Sequence, residues 1–189
     1  MALPILFALS TLLLQRMHLR LEPAISAGPA TSLHLMLREF LLVLREPWAR
    51  VVMLSVFFEG ACVLGAFAYF ATHMHQQLGI SLTQASAAAM LFGLGGLLFA
   101  FTSRPLIRQL GELGLVRSGG ILVLVMMCVV AVAPQAGIAS VACFVMGLGF
   151  YMLHNTLQTN ATQMAPERRG AAVAAFALSY FLGQALGVA

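Results

Sequence analysis

Apolar residues fall in six blocks along this chain, and the connectors between them alternate between arginine-bearing and uncharged. At 1.5 Å of rise per residue, about 20 apolar residues cross the roughly 30 Å hydrocarbon core of a bilayer. Five blocks meet that length, and spans are read at 48–72, 83–103, 115–133, 137–159 and 170–189. The first block, 1–15, is shorter and is followed by Arg16, His18 and Arg20, the reverse of a signal peptide, so it reads as the inner end of a partial span. Residues 16–47 form a linker, irregular around Pro23, Gly28 and Pro29. Between 32 and 46, His34, Arg38 and Arg45 recur at helical spacing among Leu33, Leu37, Phe40, Leu41 and Leu44, the pattern of an amphipathic helix. Such a helix lies along the cytoplasmic membrane surface or serves as a solvated linker. Pro47 stops it and suits the first position of the next helix. Ser81 and Gln84 have capping-box spacing at the start of another. The expected fold is an all-α membrane bundle, and residues 48–189 are its main helical part.

Composition supports the class. Charged residues make up 8% of the chain, against about 25% in soluble domains. The formal charge of +4 would suggest nucleic acid in a soluble protein, but here topology explains it. All ten arginines lie within 16–50, 104–117 and 168–169, the alternate connectors that the positive-inside rule assigns to the cytoplasm. No nucleic-acid partner is expected. Cys62, Cys128 and Cys143 fall inside spans and read as packing residues. The GLGGLL run at 93–98 has neither a preceding strand nor a following lysine, which argues against a nucleotide site. His73 and His75 are a weak metal spacing and read as interfacial polar residues. No cofactor or metal is expected, and no nucleophile, base and orienting residue stand together as an enzyme would need.

Against this apolar background a few residues carry chemistry. Glu59 is the one acid inside a span, roughly nine residues or about 14 Å from its cytoplasmic start. A carboxylate there costs on the order of 3 kcal/mol and calls for a partner or a task. Tyr151, His154, Asn155, Gln158 and Asn160 gather at the end of the 137–159 span; Tyr151, Asn155 and Gln158 share a face at i, i+4, i+7. They line a substrate cavity or bond helix to helix, and Tyr180 and Gln184 are candidates for the same cavity. Ala171, Ala175, Ser179, Gly183 and Gly187 repeat every fourth position, as Ala85, Ala89 and Gly93 do earlier, marking close-packing helix faces. Arg104, Arg108, Gly111 and Glu112, with Arg117, form a cytoplasmic charge cluster or serve as ordinary topological anchors.

Four segments together carry a family resemblance: FFEG at 57–60, ISLTQASAAAMLFGLGGLL at 80–98, RPLIRQLGELG at 104–114, and GLGFYMLHNTLQTNATQMAPERRGAAVAAFALSYFLGQALG at 147–187. The chain resembles the C-terminal half of a major facilitator superfamily (MFS) transporter, from about the sixth span to the eleventh. Within that superfamily it is most similar to bacterial proton-coupled drug and sugar efflux permeases. The resemblance implies alternating access in the bacterial cytoplasmic (inner) membrane, with the lipid bilayer, a small-molecule substrate, protons and the transporter's N-terminal half as partners. It places Glu59 in the seventh span, where the residue titrates during transport, with substrate and proton competing for it, or is merely hydrogen-bonded to a neighbouring span. It aligns RPLIRQLGELG with the family's cytoplasmic gating loop, although the Asp of that loop's stronger form is missing. The first five spans and the last are expected to be missing, as in a fragment. A non-transporting membrane scaffold or assembly partner is the alternative.

Overall fold

The computed structural model describes residues 33–189, together with residues 11, 12, 15 and 16. Two compact units divide the chain, 1–36 and 37–189. In the first, residues 11, 12, 15 and 16 are helical. Apart from these four, the partial span of 1–15 and the irregular linker of 16–31 lie outside the described residues.

Helix α1 (Leu33–Val43) bridges the unit boundary. Within the second unit Phe40, Val43 and Leu44 pack beside Ala49, Met164 and Ala165, while Leu37 and Leu41 remain exposed. Pro47 then opens α2 (Pro47–Glu59), where its missing N–H costs nothing. Directly after Glu59 comes a π turn, Gly60–Leu64, in which the Gly65 N–H reaches back to the Gly60 carbonyl. The helical path continues as α3 (Gly65–Ala68) and α4 (Phe70–Leu78). Residues 73–83 were expected to be a connector, but helix continues to Leu78, and Gly79 turns the chain at φ 68°. His75 Nδ1 closes this turn by donating to the Ile80 carbonyl, 2.7 Å away.

Helix α5 (Leu82–Val132) is 51 residues long and opens on a complete capping box. The Ser81 hydroxyl accepts from the Gln84 N–H at 3.2 Å, and the Ser81 N–H donates to the Gln84 side chain at 3.0 Å. Residues 104–114, read as a loop, are helical except at Gly111, where φ is 65° and ψ 177°. A straight helix would hold Gly95 and Gly119 about 36 Å apart. Instead both press on one stretch of α6 (Ala136–Gln163): Gly95 on Phe144, Gly147 and Leu148, and Gly119 on Gly149, Met152 and Leu153. The chain therefore doubles back at Gly111, and α5 is a helical hairpin with α6 laid along it.

That backbone conformation is open essentially to glycine alone, so Gly111→Ala should cost ~1–3 kcal/mol, read as a lower thermal midpoint of the purified protein. Nothing lies within 4 Å of a Cβ added at Gly111 or at Gly93. Gly93→Ala, placed in regular helix, is therefore the matched control and should not destabilise. Gly93 departs from the sequence reading: it is exposed, and Gly95 and Gly96 make close approaches to α6, whereas Ala85 and Ala89 of the expected stripe are packed in the core.

A 3₁₀ turn, Pro166–Arg168, leads into α7 (Arg169–Val188). Arg168 forms an ion pair with Glu39 of α1, its Nε 2.8 Å from a carboxylate oxygen. Helix α7 packs along α2 and the π turn, and α6 stands between this pair and the α5 hairpin. Glycines make the seams: Gly183 lies on the Phe57 backbone, Gly187 on the Ala61 backbone, Gly60 on Tyr180 and Gly65 on Gly187. The Tyr69 hydroxyl donates to the Val188 carbonyl and ties the ends of this pair. Among the described residues, four helical stretches are long and apolar enough to cross a membrane, Pro47–Ala68, Leu82–Val132, Ala136–Gln163 and Pro166–Val188, the second of them folded into two arms.

Candidate functional site

Glu59 ends α2 at the middle of its apolar stretch, and only 4% of the residue is exposed. Its Oε2 lies 2.9 Å from Nδ1 of His154, contributed by α6 from 95 positions further along the chain. One hydrogen is shared across this contact: Nδ1 of His154 donates it when Glu59 is ionised, and the carboxyl donates it when Glu59 is protonated. The seams bring the two together: the Gly183 contact draws α2 onto α7, and Phe176 and Tyr180 of α7 flank the histidine that α6 presents.

Aromatic rings enclose the pair. The His154 ring stacks on Phe150 at a centroid separation of 5.2 Å and 14° between planes. Tyr180 stands 4.9 Å away and Phe176 5.7 Å. Such walls strengthen the hydrogen bond by excluding water, and they raise the cost of a carboxylate that loses its partner. The second carboxylate oxygen, Oε1, is buried with no hydrogen-bond partner among the described residues. With one shared proton the pair carries net charge −1; with a second, it is neutral overall, whether the proton rests on carboxyl or imidazole. A proton can thus be taken up here without leaving a net charge buried in the bundle.

A second site opens inside the bend of the α5 hairpin. This cavity, about 550 Å³, is lined by Gly96, Phe99 and Ser103 from the first arm, Glu112 and Leu115 from the second, and Tyr151, Asn155, Thr156 and Thr159 from α6. Gly96 exists to admit the Tyr151 ring, which lies against it.

The residues singled out in the sequence divide between these two places. Tyr151 and Asn155 line the cavity, whereas His154 and Tyr180 stand at Glu59. Gln158 is exposed and outside the cavity. Gln184 is half-buried on α7, its backbone over Gly60. Glu112 lies on the cavity wall and accepts from the Asn160 amide at 3.3 Å. Arg104 and Arg108 are exposed on the first arm, and among the described residues neither pairs with Glu112. Ala175 and Gly183 are buried on the packed face of α7, with Ala171, Ser179 and Gly187 half-buried on it. Thr156, Thr159 and Ser103 of the cavity were missed; Thr159 stands at i+4 from Asn155 and was readable from the face that Asn155 shares with Tyr151.

An all-helical, multi-pass membrane bundle with an ionisable pair at its centre is the frame of a transport protein. The family model of the Major Facilitator Superfamily matches residues 1–188, and the chain belongs to that superfamily of membrane transporters. No curated protein and no solved structure matches the chain.

Proposed function

We propose that this chain works in proton-coupled transport of a small molecule by alternating access, in the export direction that its resemblance to bacterial drug and sugar efflux permeases suggests. The observation that carries the reading is the Glu59–His154 pair: a buried carboxyl group 2.9 Å from an imidazole, its other oxygen without a partner among the described residues. Intramembrane ionisable residues of this kind mark proton relays in pumps and transporters. The pair lies between α2, α6 and α7, and in alternating access those helices move against a second half that completes the site across a pseudo-symmetry axis. Substrate release and proton uptake would then compete for the same set of helix positions.

The test is Glu59→Gln, which keeps size and hydrogen-bonding ability while removing the titrating group. Infrared spectra of the protein in lipid should show a carboxylic acid C=O band that titrates with pH in the parent and is lost in the variant. Uphill transport driven by an imposed pH gradient should be lost as well, while exchange without net proton movement continues. A titrating band at undiminished strength, or uphill transport unchanged in the variant, overturns the reading.

A further inference from the structure

The polar groups that line the cavity in the α5 hairpin offer mainly hydrogen-bond acceptors. Its Ser103, Thr156 and Thr159 hydroxyls each spend their single hydrogen on a carbonyl of their own helix: Ala100 at 3.1 Å, Met152 at 2.8 Å and Asn155 at 2.9 Å. What these hydroxyls offer a ligand is therefore oxygen lone pairs alone. Asn155 commits one amide hydrogen to the Tyr151 carbonyl at 3.0 Å. Glu112 adds a carboxylate, one oxygen of which receives the Asn160 amide while the other is unengaged among the described residues. Among the described residues, no arginine, lysine or histidine lines the wall. Phe99 and Tyr151 supply ring surface, and Tyr151 keeps the one hydroxyl hydrogen not committed to its own helix.

We propose that this cavity binds a protonated amine, with its N–H donors on Glu112 and the hydroxyl oxygens and its carbon skeleton against Phe99, Leu115 and Tyr151. Chemistry selects the ligand. An anion would meet a carboxylate and lone pairs, and a neutral alcohol would leave Glu112 without a counter-charge. A quaternary ammonium would satisfy the charge but bring no N–H to the acceptors. A primary alkylammonium brings three donors and a positive charge, and it gains further from a ring face. The bend at Gly111 matters because it carries Glu112 across from the second arm to face α6. Calling the bound amine a transported substrate rests on the proton-coupled reading above; the binding itself does not.

The experiment is isothermal titration of the full chain in lipid nanodiscs with butylammonium chloride, using empty nanodiscs to subtract partitioning. Saturable binding of butylammonium is expected, with butanol and butanoate giving none and butyltrimethylammonium at least ~10-fold weaker, the worth of losing charge-assisted hydrogen bonds. Glu112→Gln should weaken butylammonium at least ~10-fold by the same measure. Glu112 is exposed, so this variant is expected to fold, and Thr159→Val, which removes one acceptor oxygen, provides a second and milder loss. The titration is run with no pH gradient and reads no transport, so failure of amine binding and failure of proton coupling in Glu59→Gln are read by separate measurements. Equal affinity in Glu112→Gln, preference for butanoate, or no saturable binding to the parent overturns the proposal.

Discussion

Replacing His154 with alanine is expected to destabilise the bundle by about 3–5 kcal/mol, the usual cost of removing one member of a buried charged pair. The magnitude comes from what stays behind. Glu59 is buried, its Oε1 has no partner among the described residues, and the truncation would strip Oε2 as well. Part of the loss is packing, since the ring touches Phe150, Phe176 and Tyr180. A double-mutant cycle separates the two: in a Glu59→Gln background the same truncation removes the packing but strands no carboxylate, and should cost markedly less. Unfolding in mixed detergent micelles supplies the four stabilities. Equal costs in both backgrounds would show that His154 contributes only as an aromatic ring.

Gly183→Leu should be at least as damaging, and by a different route. A Cβ at this position falls on the Phe57 carbonyl, a backbone atom of α2 that no rotamer change can move. The helices must separate, so the cost exceeds the ~1–3 kcal/mol of ordinary overpacking, where side chains share the strain. Size-exclusion chromatography of the solubilised protein should show loss of the monodisperse peak. Gly170→Leu, on the same helix but with open space around its Cβ, should elute like the parent. A Gly183→Leu protein with the parent's profile and melting temperature would mean that α7 can back away from α2 at little cost.

Helix positions were the most readable part of this chain because hydrophobic length and arginine placement are local signals. Their ends were less so. The sequence offered polar residues at 73–78 and 104–110 as loop, yet each continues a helix begun in an apolar run, and only Gly79 and Gly111, at positive φ, break the path. Glu59 declared itself by depth alone. Its partner did not, because His154 lies 95 residues away and periodicity on α6 groups it with Tyr151 and Asn155. Which of two neighbouring faces turns to α2 and which to the α5 hairpin is decided by where the glycines let the backbones meet. That also explains Gln158: one residue before Thr159 and about 100° around the helix from it, its side chain turns off the cavity face that Thr159 still lines and is exposed.

The π turn after Glu59 has a consequence for phase. In an unbroken α-helix, residues 60 and 65 would point about 140° apart, and only one could face a given neighbour. The wider turn brings residues five apart into line, as the Gly65 to Gly60 hydrogen bond records, and both glycines meet α7. One residue's worth of slack in the winding thus sets two helical rods in register along one partner. Deleting a residue between 60 and 64 would restore regular winding, keep Glu59 on its face, and change where everything beyond it points.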